Sequence, residues 1–137
     1  MAVMAKPLTI HHRMARVRQR DTGPELAVRK VLAAAGIRYR VCPKGLPGRP
    51  DIANRAGRWA LFVHGCFWHG HRGCGLARLP KTNSTFWAEK IEANRSRDSR
   101  KETELIALGL RVFTVWQCQL DDQQTLSHLV SRLRPDR

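Results

Sequence analysis

The sequence predicts an α/β fold in which helices cover a mixed sheet, and three observations predict it. Hydrophobic spacing gives the element order α, three strands, α, strand, α, an order that suits helices packed on a sheet. Two helical segments stop at a glycine, Gly36 and Gly109, and each runs on into residues rich in β-formers. Finally, 137 residues suffice for one hydrophobic core and are too few for two domains of usual size. No internal repeat or linker marks a further division. We therefore expect a basic arm over residues 1–20 and one folded domain over 21–137.

The arm carries Lys6, His11, His12, Arg13, Arg16, Arg18 and Arg20, with apolar positions too sparse to bury a face. Asp21 or Thr22 can cap the first helix, which has Pro24 in its first turn and Glu25 near the positive end of its dipole. Leu26, Val28, Val31 and Leu32 are its expected apolar positions. Ile37 to Val41 reads as a strand, followed by the turn Pro43-Lys44-Gly45-Leu46-Pro47-Gly48-Arg49-Pro50. Asp51 to Ala53 and Arg58 to Val63 read as two strands joined by Asn54-Arg55-Ala56-Gly57. Periodicity vanishes from His64 to Thr82, where Gly, His, Cys and Trp accumulate. A long helix follows, capped by Asn83 or Ser84, with Phe86, Trp87, Ile91, Leu105 and Leu108 as apolar positions. Its charged middle, Glu92 to Glu104, faces solvent or a ligand. Leu110 to Trp116 is the clearest strand, and Asp121 can cap a last amphipathic helix bearing Leu126, Leu129, Val130 and Leu133.

Lysine and arginine number 25 against 11 acidic residues, a formal net charge of +14. Such a balance suits a polyanion, and nucleic acid is the better partner, because no apolar run approaches the roughly 20 residues of a membrane span. No apolar core of signal-peptide length is present, so a cytoplasmic location is expected. There Cys42, Cys66, Cys74 and Cys118 would be thiols or metal ligands rather than disulfides.

Between His64 and Cys74 two cysteines and three histidines fall within eleven residues, and Cys118 follows the last strand. Cys66, His71, Cys74 and Cys118 make a closed Cys₃His set of the kind zinc prefers, which would tie the loop to the end of the sheet. Structural zinc, free thiols and a catalytic zinc all fit this spacing, with a structural role favoured by its cysteine content. Cys42 is left over, as a small apolar packing residue near a strand end. Phe67, Trp68 and Trp87 either pack around the core or wedge between base pairs.

A magnesium-type nuclease needs a carboxylate for the metal, a base for water and a cation or donor at the scissile phosphate. Asp51 can supply the first, and His64 and His69 converge on it if the strands pair as a hairpin.

Leu46-Pro47-Gly48-Arg49-Pro50-Asp51, followed by Phe62-Val63-His64-Gly65-Cys66-Phe67-Trp68-His69, resembles the signature of the very short patch repair (Vsr) mismatch endonucleases. The resemblance extends through Phe86 to Ile91, Asn94, Arg97-Asp98 and Leu108 to Cys118, and back to Met14 and Arg20-Asp21-Thr22. It implies a restriction-endonuclease-like three-layer fold, with Phe62 and His64 where other members of that fold carry an acid and a lysine. By matched position, Asp51 and the backbone carbonyl of Val63 would hold Mg²⁺. His69 would be the general base, oriented by Asp98; His64 would contact the hydrated metal or phosphate, and Glu25 would join from the first helix. The zinc ligands would be Cys66, His71, Cys74 and Cys118. Phe67, Trp68 and Trp87 would wedge into DNA, Met14 would insert from the minor groove, and Lys90 and Asn94 would read the mismatched bases. Three departures are Val63 for a threonine, Gly70 within a histidine-rich run together with one more residue between His71 and Cys74, and a C-terminus that ends soon after one helix, so that functions of a longer tail are not expected. The implied activity is Mg²⁺-dependent nicking 5′ to the mismatched thymine of a T:G pair by a monomer, with repair proteins acting downstream. A nuclease of other mismatch or single-strand specificity and a non-catalytic zinc-stabilised DNA-binding module are the alternatives.

Overall fold

The computed structural model describes residues 22–134; Met14, the basic arm and Asp21 lie outside them. The elements are α1 (Gly23–Ala34), β1 (Arg40–Val41), β2 (Ile52–Asn54), β3 (Trp59–His64), α2 (Ser84–Ala107), β4 (Arg111–Trp116) and α3 (Gln123–Leu133). The sheet order is β1-β2-β3-β4; the first two pairings are antiparallel, and β3 and β4 run parallel across α2, from Trp59 beside Arg111 to His64 beside Trp116.

Alternation along β3 explains why both faces are covered. Trp59, Leu61 and Val63 join Ile52 and Val115 against Val28 and Leu32 of α1 and Leu129 and Leu133 of α3. Ala60 and Phe62 turn the other way and pack with Ala53, Leu46 and Leu105 of α2. All six residues of β3 are buried, as expected of a central strand between two helical layers. Among the described residues a mixed α/β architecture with a four-stranded sheet and three α-helices results.

Both strand starts expected after glycine are shorter than their β-rich runs. The Ile37 N–H bonds back to the Leu32 carbonyl and the Gly36 N–H to Ala33, closing the C-terminus of α1 as a Schellman motif with Gly36 at φ +74°. Ile37 is therefore buried as a helix stop, and β1 shrinks from the expected Ile37–Val41 to Arg40–Val41. Gly109 and Leu110 close α2 in the same way, through Ile106 and Leu105, so β4 begins at Arg111.

Helix faces account for the other differences. The inward residues of α1 are Glu25, Val28 and Leu32, which leaves Leu26 pointing out at 48 % exposure and Val31 half-buried. On α2, Trp87, Ile91 and Leu105 face inward; Phe86 is a hundred degrees off that stripe, and Leu108 lies past the last turn that meets the sheet, so both are exposed. Thr22 caps α1 by accepting from the Glu25 N–H. The cap of α3 is Asp122 rather than Asp121: its carboxylate accepts from the N–H groups of Gln124 and Thr125. Asn83 precedes α2 in the left-handed region without a side-chain cap bond. Cys42 is half-buried in the left-handed region, its N–H bonded to the Asp51 carbonyl.

Candidate active site and metal centre

The stretch after β3 winds into two short turns, with the N–H groups of His69 and His71 bonded to the carbonyls of Gly65 and Cys66. This winding returns His69 over the strand it has just left. Its ring stacks on His64, centroids 3.8 Å apart and planes 4° from parallel. Gly70 makes the approach to α2 possible: at φ +60°, a Cβ there would stand 2.5 Å from the Ile91 side chain.

From α2, Asp98 meets the loop. Its Oδ2 lies 2.5 Å from His69 Nδ1. Burial alone would raise the Asp98 carboxyl, but the hydrogen bond and charge of His69, with help from His64 and Lys101, outweigh it and hold the group below its ordinary value. An ionised carboxylate only accepts, so a neutral His69 donates from Nδ1 and keeps a lone pair on Nε2.

Asp51 enters from the turn before β2, where its Oδ2 accepts from the Val63 N–H at 2.7 Å. Burial, with Glu25 adding to it, pushes this carboxyl up from 3.8 to about 6, despite the opposing Val63 N–H and the charges of His69 and Lys101. Glu25 itself is 4 % exposed in the first turn of α1, paired with Arg29 at 3.3 Å. Burial and the neighbouring His69 lower His64 to about 3, so it is a neutral ring at working pH, and its Nδ1 is buried with no hydrogen-bond partner. Next to His64 and His69 a cavity of about 480 Å³ is lined by Phe62, Thr114, Trp116, Arg72, Arg95 and Glu102, among others. The structure thus brings Glu25, Asp51, Val63, His64, His69 and Asp98 to one place.

On the other side of Trp116 the second cluster gathers. Donor atoms of Cys66, His71, Cys74 and Cys118 all lie within 4.8 Å of one another, a group that could hold a metal ion. His71 Nδ1 stands 3.6 Å from Cys66 Sγ and 3.4 Å from Cys118 Sγ. Burial pushes the Cys66 thiol up to about 11, whereas the Leu76 N–H lowers Cys74. All four cysteines of the chain are free, and Cys42 stands apart from the cluster. The two centres touch through rings. His71 stacks on Trp116 at 4.1 Å and 7°, and Trp116 meets His64 edge-on at 5.1 Å.

Phe67, Trp68, Phe86 and Trp87 form one aromatic cluster at the start of α2. Trp87 is 2 % exposed and packs edge-on against Phe67, Trp68 and Phe86, while Phe67 and Trp68 are half-buried. Asn94 donates its amide to the Trp68 carbonyl at 2.9 Å and accepts from Arg97, so it braces the loop in this structure; Lys90, one turn away, is exposed.

Sequence reasoning missed Lys101, Arg72, Arg95 and Gln117, whose side-chain carbonyl accepts from the Cys66 N–H. For Lys101 a signal existed: it follows Asp98 by three residues, one helical turn, yet lay hidden in the charge-dense middle of α2. No helix among the described residues is long and apolar enough to cross a membrane.

Comparison with known proteins identifies the family. Residues 4–75 match the family described as DNA mismatch endonuclease Vsr. Over 121 residues the chain is 54 % identical to the type II nicking enzyme V.XorIIP of Xanthomonas oryzae, covering 88 % of this chain and 86 % of that protein. It is 41 % identical over 120 residues to the type II nicking enzyme V.NmeAIP of Neisseria meningitidis, covering 88 % and 85 %. It is 39 % identical over 127 residues to the DNA mismatch endonuclease Vsr of Escherichia coli, covering 93 % and 81 %. With this likeness along most of its length, the chain belongs to the Vsr family and is a DNA endonuclease.

Proposed function

We propose that this endonuclease is Mg²⁺-dependent and strand-specific, nicking DNA 5′ to the mismatched thymine of a T:G pair and so initiating very short patch repair of deaminated 5-methylcytosine. The observation that carries the reading is the His69–Asp98 pair stacked on His64 beside Asp51. In this mechanism His69 Nε2 takes the proton of the attacking water, and Asp98 holds the Nδ1–H so that the lone pair points at that water. Asp51 and the Val63 carbonyl would hold Mg²⁺, for which hard oxygen donors are the fitting set, and a carboxylate whose ionisation burial penalises gains most from a cation. The ion, when bound, supplies charge neutralisation at the phosphate and a more acidic water. Glu25 would support this centre from α1, and the neutral His64 would contact the hydrated ion or the phosphate.

Zinc is the proposed occupant of the Cys₃His cluster. For bonds of about 2.3 Å to sulfur and 2.0–2.1 Å to nitrogen, a tetrahedron has an S···N edge of about 3.6 Å. The 3.6 and 3.4 Å separations around His71 support that geometry. A closed set of four protein ligands suits a structural ion. The restriction-endonuclease-like assignment draws support from the helix-covered mixed sheet with Asp51 leading into β2 and His64 ending β3.

DNA engagement is assigned to Phe67, Trp68 and Trp87 as wedges, Met14 as a minor-groove insertion and Lys90 and Asn94 as readers of the mismatch. The reading further takes residues 1–20 as a basic DNA-contacting arm on a 21–137 endonuclease domain, acting as a monomer in the bacterial cytoplasm ahead of other repair proteins. Two relatives are named as nicking enzymes, which favours as second reading a nick at another mismatch or sequence. An end-labelled duplex assay in Mg²⁺ tests both: nicking of T:G but not of T:A or C:G is expected, and equal cleavage of all three would overturn the mismatch specificity.

A further inference from the structure

The inward stripe of α2 runs through Ile91, Asn94, Asp98, Lys101 and Leu105, a 3-4-3-4 spacing that keeps all five on one face. The first and last are buried apolar residues, Asn94 braces the loop and Asp98 holds His69. Lys101 is half-buried in that row, where an ordinary surface lysine has no reason to be. The turn that delivers Asp51 sits directly on it. Gly48 is at φ +76°, and a Cβ there would lie 2.6 Å from Lys101 Cβ and 2.8 Å from Cγ, so the lysine stem is clamped by the same Gly-Arg-Pro-Asp segment.

No carboxylate among the described residues closes an ion pair with Lys101. Its positive charge nevertheless reaches Asp51, His64 and Asp98, lowering the pKa of each. An ammonium held beside the base and the metal-binding carboxylate, yet unpaired, has its electrostatic capacity in reserve. A phosphodiester under attack gains negative charge on its non-bridging oxygens as the water O–P bond forms and the P–O ester bond breaks, and a fixed cation stabilises that charge most in a poorly hydrated site.

We propose that Lys101 is a catalytic residue of this endonuclease, its ammonium contacting the non-bridging oxygens of the scissile phosphate. The proposal rests on the hydrolytic centre described above. Lys101 neither takes nor gives a proton; that transfer remains with His69.

The test is single-turnover nicking of an end-labelled T:G duplex by wild type, Lys101→Met, Lys101→Arg and Asp51→Ala, with duplex affinity, thermal melting and the pH–rate profile measured for each. Methionine keeps the unbranched stem under Gly48 and removes the charge, so the rate at saturating enzyme should fall by about 10²–10³-fold. Affinity and melting temperature should stay put, the deficit should persist on the plateau of the pH profile even as its midpoint rises with the lost charge, and arginine should recover much of the rate. Wild-type nicking by Lys101→Met overturns the proposal. A deficit that disappears at another pH or at higher Mg²⁺ does so as well, because it would mark the lysine as a modulator of Asp51 alone. If Lys101→Met does not fold, Lys101→Gln is compared with Lys101→Arg, and equal rates for those two reject the role. Full activity of Asp51→Ala would instead remove the parent centre, whereas an inactive Asp51→Ala beside a fully active Lys101→Met removes only the lysine.

Discussion

The eleven residues from His64 to Cys74 feed two centres that are chemically opposite. One is a set of four soft donors around a point, with His71 seated flat on Trp116. The other is left unsatisfied: a histidine with a buried, unpartnered nitrogen, a carboxyl pushed up to about 6 by burial, and a lysine with no ion-pair partner among the described residues. A centre that only has to hold the fold can complete its own coordination, whereas one that must bind an ion, a water and a phosphate keeps polar capacity open for them. Unsatisfied groups at a functional site are tolerated because packing elsewhere over-determines their position.

Mutations should separate the two centres. The largest effect belongs to the proposed base: His69→Ala is expected to slow single-turnover nicking of a T:G duplex by about 10²–10⁴-fold, with duplex affinity measured by anisotropy largely preserved. Nearly as large, and of the opposite kind, is Cys66→Ser. Losing the proposed structural zinc belongs to the exceptional class of destabilisation, more than about 4 kcal/mol, and should show as lost zinc in elemental analysis together with a collapsed melting transition. Preserved stability with zinc absent would erase the contrast between the two centres.

A smaller effect sharpens it from the other side. In the folded chain the Asp51 carboxyl is raised to about 6 from 3.8, so its contribution to metal-free stability is fully present below pH 4 and is lost as pH rises through about 6. Asparagine never ionises and still accepts from the Val63 N–H. Metal-free Asp51→Asn should therefore be inactive yet more stable than wild type at pH 7.5, by about 1–2 kcal/mol once solvent screening is allowed for, with the gain vanishing near pH 4. The smallest change is a calibration remote from both centres: Asp122→Ala removes the cap of α3 and should cost about 1 kcal/mol in chemical denaturation without altering the rate of nicking.

How far such a molecule can be read from its residues depends on whether the signal is local. The β-rich run of β3, the amphipathic pattern of α3 and the Cys₃His spacing are local, and each reappears in the structure where the residues place it. Ile37 and Leu110 misled because each has the side chain of a strand residue but a backbone N–H already spent on closing a helix. Leu26 and Phe86 are apolar by type and outward by angle, a distinction that only the packed partner decides. Lys101 was hidden for the reverse reason: its one-turn spacing from Asp98 is shared by Arg95, and only Gly48 laid on it marks the inward cation. Convergence of Asp51, His64 and His69 followed from strand pairing alone, whereas Asp98 was assigned only through resemblance, since 29 residues separate it from the ring it holds.

Trp116 ends β4 with one imidazole flat on its face and another at its edge, each from a different centre. A single indole thereby acts as a bearing between the clasp and the blade. Displacement of His71 frees the face of Trp116, and with it the wall that fixes His64 and the ring riding on His64. Replacing Trp116 by leucine should accordingly disturb both jobs together.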